Sequence, residues 1–113
     1  MKVTQLEAYA ITLALEAAVA ALLAPRFEAN SRRAALAAAL GSAVTHPVFW
    51  PAAYWLYPAL KGFAVPALEA AVIIAESAGY RLLATPRWRN ALILSALANA
   101  ASWLTGALLY ALP

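Results

Sequence analysis

Long apolar stretches alternate along the chain with short connectors that contain prolines and charged residues. Four such stretches can be drawn, at about 6–24, 34–57, 63–84 and 88–112. A helix needs about 20 residues to cross the hydrocarbon core of a bilayer, and each stretch supplies roughly that number. Helices satisfy their own backbone hydrogen bonds in lipid, and short connectors make consecutive helices antiparallel neighbours. The pattern predicts an all-α polytopic membrane protein, with four transmembrane helices in a single domain over residues 1–113.

Two short motifs occur twice and in the same order. The segment Leu-Glu-Ala-Ala-Val is repeated letter for letter, which pairs Glu16 with Glu69. Downstream, Ser-Ala-Val-Thr starting at Ser42 corresponds to Asn-Ala-Ala-Ser starting at Asn99. Two hairpins with the same helix order indicate a parallel repeat about an axis along the membrane normal. The predicted repeat halves are about 6–58 and 62–112.

Composition narrows the class of protein. The chain is 65% hydrophobic and only 12% charged, whereas soluble domains are about 25% charged. It has no cysteine, which excludes disulfides, thiolate metal sites and cysteine nucleophiles. The net charge of +3 arises from basic residues at the ends of the apolar stretches, where they would contact lipid head groups. We therefore expect the lipid bilayer as a partner and no nucleic acid.

The basic residues also predict an orientation. Six arginines lie in or beside two of the connectors, and the opposite side has only Lys2 and Lys61; the arginines are Arg26, Arg32, Arg33, Arg81, Arg87 and Arg89. The positive-inside rule then places the arginine-rich connectors in the cytoplasm and both termini outside. The outer side carries an aromatic cluster at Trp50, Tyr54, Trp55 and Tyr57, interrupted by prolines. We expect the second helix to leave the hydrocarbon core near Trp50 and to continue as an interfacial segment.

Polar side chains recur at helical spacing, so that each stretch has one polar face. The candidates for ion or proton binding on these faces, together with the one histidine, are Glu16, Glu69, Glu76, His46, Asn99 and Tyr80, with Thr45, Ser95 and Ser102 as supporting polar residues. A charged carboxyl at the bilayer centre costs roughly 2.5–3.5 kcal/mol on insertion scales. No lysine or arginine lies at comparable depth. The glutamates are therefore either protonated and hydrogen-bonded to neighbours, or they line a wet cavity that binds a cation or relays protons.

The single histidine, His46, precedes Pro47. Proline cannot donate a backbone hydrogen bond, so His46 either satisfies the freed carbonyl groups or titrates as a relay near Glu69. A metal site formed by His46, Glu16 and Glu69 is a third alternative, since carboxylate and imidazole suit several divalent ions. No ligand spacing supports it, and the sequence assigns neither a metal nor any other cofactor.

Three functions fit this pattern. Nucleophile-elbow, zinc-peptidase, phosphate-loop and dinucleotide-binding motifs are absent, so an intramembrane enzyme is the least favoured alternative. The first hypothesis is proton- or cation-linked transport or conduction, by what we expect to be a homo-oligomer. The second is an accessory or assembly subunit of a larger membrane complex, whose polar faces are packing surfaces.

Nearly the whole chain resembles a group of small bacterial four-helix membrane proteins of unknown function. The segments concerned are LEAAV, SAVTHPVFW, LEAAVIIAESAGYRLL and RNALILSALANAASWLTG. Those proteins are similar in having a glutamate in helix 1, Thr-(Asn/His)-Pro in helix 2, Glu-x6-Glu-x3-Tyr in helix 3 and Asn-x2-Ser in helix 4. The resemblance implies a bacterial inner-membrane location and a shared core of Glu16, Thr45, His46, Pro47, Glu69, Glu76, Tyr80, Asn99 and Ser102. It implies nothing about substrate.

Overall fold

The computed structural model of the chain describes residues 4–111, with side chains as far as residue 109. The protein is 92% helical, and the described residues contain no strand, which confirms the all-α class. The helices are α1 (Gln5–Leu23), α2 (Ser31–Leu60), α3 (Ala64–Leu83) and α4 (Trp88–Ala111). Lys2, which entered the charge count, the two termini and the predicted end of the fourth stretch at 112 lie outside the described residues.

Three helical segments in the described part of the chain are long and apolar enough to cross a membrane, by length and composition. They are Gln5–Phe27, Ser31–Leu83 and Trp88–Leu109. We predicted four separate stretches. The middle segment joins two of them over 53 residues, because a 3-10 turn, Lys61–Phe63, connects α2 to α3 without a non-helical loop. Lys61 has a φ of 53°, a left-handed value that lets the chain reverse there.

Local side-chain contacts set where the first two helices begin. Thr4 and Glu7 form a capping box at the start of α1, in which each side chain accepts a hydrogen bond from the other's backbone amide. The Asn30 side chain accepts a hydrogen bond from the Arg33 amide at 3.0 Å and so caps α2. Such caps satisfy amides that have no partner within the helix. A short 3-10 turn, Ala24–Phe27, follows α1 and ends at Glu28, whose φ is 55°.

The four helices form a ring in which each packs against its neighbours in sequence and α1 also packs against α4. Small residues dominate the interior of the ring. Its core cluster consists of Ala20, Ala24, Ala34, Ala37, Ala38, Ala91, Leu94 and Tyr80. Alanine allows helix backbones to approach closely, which is the usual way that helices associate in a bilayer.

Large apolar side chains face outward and polar side chains face inward. Leu22, Leu82 and Leu108 are 78%, 80% and 69% exposed. The buried polar residues are Glu16, Ser42, Glu76, Ser77, Thr85, Ser95 and Asn99. Soluble proteins show the opposite arrangement. An exterior of this kind matches a hydrocarbon solvent better than water.

Helix α2 is continuous over 30 residues, although it contains Pro47, Pro51 and Pro58. The helix therefore does not end near Trp50, and the expectation that it leaves the hydrocarbon core there and continues as an interfacial segment stays a prediction. At about 1.5 Å per residue the helix is roughly 45 Å long, more than the 30 Å or so of a hydrocarbon core. The helix is therefore longer than one crossing of the core requires. Its additional C-terminal turns carry the exposed Tyr54 and Trp55.

The missing amide hydrogen of Pro47 is replaced by a donor from another helix. In a regular helix the amide at position 47 would donate to the Ala43 carbonyl, and proline cannot. Tyr9 in α1 instead donates its hydroxyl to the Ala43 oxygen at 3.2 Å. The His46 ring packs against the Tyr9 ring, with centroids 4.9 Å apart. The alternative in which His46 satisfies this carbonyl is therefore wrong; His46 instead contacts the residue that does.

We predict that Tyr9→Phe lowers the free energy of unfolding by about 1 kcal/mol, because it leaves the Ala43 carbonyl without a donor. The matched background is Pro47→Ala, in which the restored amide at position 47 bonds to Ala43, so that removing the Tyr9 hydroxyl costs much less. Equilibrium unfolding of the four proteins in mixed micelles measures the coupling between the two positions. Equal losses in both backgrounds would contradict this role for Tyr9.

Candidate functional site

Glu76 lies at the point where three helices meet. Glu76 belongs to α3 and is only 4% exposed. The Thr45 hydroxyl of α2 donates to Glu76 Oε2 at 2.7 Å, and Asn99 Nδ2 of α4 donates to Glu76 Oε1 at 2.8 Å. Both carboxyl oxygens therefore have a donor, and each donor comes from a different helix. A single carboxyl group thus links α2, α3 and α4.

The Asn99 amide is itself held in place. Its Nδ2 also donates to the Ser95 carbonyl oxygen, one turn earlier in α4, at 2.8 Å. The Ser95 hydroxyl in turn donates to the Ile73 carbonyl oxygen of α3 at 2.7 Å. The side-chain amide nitrogen of asparagine has two hydrogens. One is donated to the Ser95 carbonyl, and the other is thereby directed at Glu76. Ser95 supports the site by joining α4 to α3 beside it.

Gly41 makes room for the Glu76 side chain against α2. A Cβ atom at position 41 would lie 3.0 Å from Glu76 Cγ and 3.4 Å from Cδ. Those distances are shorter than ordinary van der Waals contact between carbon atoms. The candidate set from the sequence did not include Gly41. The available signal was a glycine inside an apolar helix, one residue before Ser42 on its polar face.

Glu16 is the second buried carboxyl, at 3% exposure. The Ser42 hydroxyl of α2 donates to Glu16 Oε2. The Ser102 hydroxyl of α4 donates to Thr12 Oγ1 in α1, one turn before Glu16, at 3.4 Å. This set joins α1, α2 and α4. Ser42 and Thr12 belong to the predicted polar faces but were not among the predicted site residues.

Neutral groups supply every hydrogen bond that the structure gives these two carboxyls. The one ion pair in the described part of the chain joins Arg87 and Glu28 at 3.3 Å, and both side chains are mostly exposed. The two carboxyls also lie close together, because Gly41, which packs against Glu76, and Ser42, which donates to Glu16, are consecutive residues of α2. If both were ionised, two like charges would share an apolar interior, where repulsion is only weakly screened. A proton or a cation is needed to neutralise the set.

The hydroxyl partners suit a carboxyl that gains and loses a proton. A serine or threonine hydroxyl can donate to a carboxylate or accept from a carboxylic acid, whereas the Asn99 NH2 group only donates. Glu76 has one partner of each kind, Thr45 and Asn99. The hydroxyl can therefore reverse its hydrogen bond when Oε2 is protonated, while the amide keeps Oε1 in place. Such a site can change its protonation state without moving a helix.

The other predicted residues do not join these two sets through hydrogen bonds. Glu69 is half-buried, and no hydrogen bond to its side chain occurs within residues 4–109. Tyr80 is 1% exposed and belongs to the alanine core. His46 packs on Tyr9. No group of three or more histidine, aspartate or glutamate side chains in the described range is arranged to hold a metal ion, so the structure does not assemble the alternative metal site of His46, Glu16 and Glu69.

We predict that Gly41→Ala lowers the free energy of unfolding by about 1–3 kcal/mol, the usual cost of overpacking. The added methyl group pushes Glu76 away from Thr45 and Asn99. Gly79→Ala is the matched control, because nothing lies within 4 Å of a Cβ at that position. Replacing this helical glycine should instead stabilise the protein, by roughly 0.5–1 kcal/mol. Thermal unfolding in lipid nanodiscs measures both changes, and the same sign for the two variants would contradict the packing argument.

Comparisons of the chain with protein-family models, with curated proteins and with solved structures find no match. The resemblance to small bacterial four-helix membrane proteins therefore stays a prediction.

Proposed function

We propose that the protein is an integral membrane protein that carries protons or small cations across the bacterial inner membrane, with Glu76 as the exchanging group. In this proposal α1–α4 are four transmembrane helices arranged as two repeated hairpins. The arginine-rich connectors face the cytoplasm and both termini lie outside. The apolar exterior and the helix lengths support the membrane assignment. The basic residues support the orientation.

One observation carries the transport proposal: a carboxyl buried between three helices with only neutral donors around it. A glutamate kept for stability alone would be expected to pair with a basic side chain or to be replaced by a neutral one. Ionisable residues at membrane depth generally mark pathways for ions or protons. Glu76 has the further property that Thr45 can hydrogen-bond to it in either protonation state.

Some of the remaining candidate residues take supporting roles in this proposal, whereas Glu69 takes none. Asn99 fixes the carboxyl, and Ser95 fixes Asn99. His46 and Tyr80 are the outer and inner ends of the pathway. Four helices with an alanine core enclose little volume, so we propose a homo-oligomer whose subunit interface contributes to the pathway.

A second candidate, an accessory subunit of a larger complex, draws on a different observation. The end of α2 presents Tyr54 and Trp55, each 80% exposed, beside Tyr57 at 57%. Aromatic residues of this kind are enriched in protein interfaces as well as at the membrane surface. In that case the glutamates would meet basic residues of a neighbouring chain, and purified protein alone would be inactive and poorly stable.

We predict that Glu76→Gln reduces proton flux to the rate of protein-free vesicles while the protein still folds, because glutamine keeps the size of the side chain and cannot exchange a proton. The measurement uses purified protein in liposomes that contain a pH-sensitive dye, with flux driven by a potassium gradient and valinomycin. Repeating it with sodium or potassium gradients and a cation-sensitive dye distinguishes a cation from a proton.

The matched control is Glu28→Gln. Glu28 is an exposed glutamate at the connector, paired with Arg87, and its loss should leave flux unchanged. Normal flux in Glu76→Gln would contradict the proposal. Absence of flux in the wild type, together with copurification of other membrane chains in fixed proportion, would favour the accessory subunit.

A further inference from the structure

We infer that the bundle contains two equivalent half-sites, centred on Glu76 and Glu16 and related by a two-fold pseudo-symmetry axis along the bundle, and that both carboxyls are required as one exchange unit. This inference rests on the proposed function and extends it, because it adds Glu16, with Ser42 as its positioning residue. It also changes the register of the internal repeat, so that Glu16 corresponds to Glu76 and not to Glu69.

The two carboxyls lie at the same level in their helices. Glu16 is seven residues before Leu23, the last residue of α1, and Glu76 is seven residues before Leu83, the last residue of α3. Their partners match as well. Ser42 is eleven residues after the first residue of α2, and Asn99 is eleven residues after the first residue of α4.

The hydrogen bonds repeat in the same way. In each hairpin the glutamate of the first helix accepts from the second helix: Glu16 from Ser42, and Glu76 from Asn99. Three residues further along, a hydroxyl of each second helix donates to the first helix of the other hairpin. Thr45 donates to Glu76 of α3, and Ser102 donates to Thr12 of α1, one turn before Glu16. A half-turn that exchanges α1 with α3 and α2 with α4 reproduces these contacts between helices, and the ring order of the helices allows such a half-turn.

Burial follows the same correspondence beyond the polar residues. Positions 34, 37, 38 and 42 of α2 are buried, and the corresponding buried positions of α4 are Ala91, Leu94, Ser95 and Asn99. Glu69, which the five-letter repeat pairs with Glu16, is half-buried, and the structure shows no hydrogen bond to its side chain within the described residues. Glu16 and Glu76 thus share a buried, hydrogen-bonded environment. That shared environment makes Glu76 the counterpart of Glu16, although the five-letter match pairs Glu16 with Glu69.

Equivalence of the two half-sites has a consequence for exchange. A proton on either carboxyl has similar surroundings: each carboxyl is buried and accepts from a hydroxyl of α2, and the second carboxyl lies nearby across the consecutive residues Gly41 and Ser42. Neither carboxyl then holds the proton much more tightly than the other. A single charge can pass between α1 and α3 while α2 and α4 keep their donors in place. Removing either carboxyl leaves the other without a place to pass the charge.

The experiment compares Glu16→Gln, Glu76→Gln and Glu69→Gln in the liposome flux assay, together with the infrared carboxyl bands of the same purified proteins in lipid. We expect Glu16→Gln to lower flux to the rate found for Glu76→Gln, and Glu69→Gln to keep the wild-type rate. We also expect each of the first two variants to remove infrared intensity of a buried, protonated carboxyl. If a glutamine variant does not fold, Glu16→Asp and Glu76→Asp, which keep the carboxyl but withdraw it by one methylene from its donors, should lower flux to the same extent as each other.

The outcomes separate this inference from the proposed function. Loss of flux in Glu76→Gln with most of the flux retained in Glu16→Gln would overturn the inference and leave the proposed function standing. Unchanged flux in Glu76→Gln would overturn the proposed function. The infrared comparison is independent of transport, and loss of such intensity in only one of the Glu16 and Glu76 variants would overturn the equivalence in either case.

Discussion

The arrangement of the helices depends on hydrogen bonds between buried carboxyls and neutral donors on neighbouring helices. A buried polar group without a partner costs about 1–3 kcal/mol, and, among the described residues, the apolar interior of the bundle offers no other donor to these carboxyls. Glu76 therefore requires Thr45 and Asn99 to be near it, which fixes α3 relative to both α2 and α4. The Glu16 contact with Ser42 does the same for α1 and α2. The relative positions of the helices follow from a few polar contacts.

Small residues and one tyrosine make those contacts geometrically possible. The alanine core brings the backbones close enough for short polar side chains to span the gap, and Gly41 leaves the space that Glu76 occupies. Tyr9 supplies the hydrogen bond that Pro47 cannot make, so a proline near the middle of α2 becomes a point of attachment for α1. Larger side chains on these faces would separate the helices and leave the carboxyls without donors.

Sequence reasoning found the elements but not their pairing. Apolar length predicted the helices, and helical spacing placed Glu76 and Asn99 on polar faces, because these are local properties of the chain. The five-letter repeat pairs Glu16 with Glu69, whereas the inferred two-fold axis pairs it with Glu76, because identical letters in alanine-rich helices do not report the depth of a side chain or the direction that it faces. A connector was expected between the stretches 34–57 and 63–84, yet α2 continues through Pro58 to a 3-10 turn. The Tyr9–Ala43 bond depends on tertiary packing, which no local pattern contains.

The most direct test is the distance between Glu76 Cδ and Asn99 Nδ2 in lipid bilayers, measured by carbon–nitrogen dipolar recoupling in solid-state magnetic resonance with labelled glutamate and asparagine. Asn99→Asp, which removes the side-chain nitrogen, assigns the signal. The hydrogen bond described above requires a separation of about 4 Å or less. A separation beyond about 6 Å would mean that the carboxyl is not held between α3 and α4, and the account of the site would be wrong.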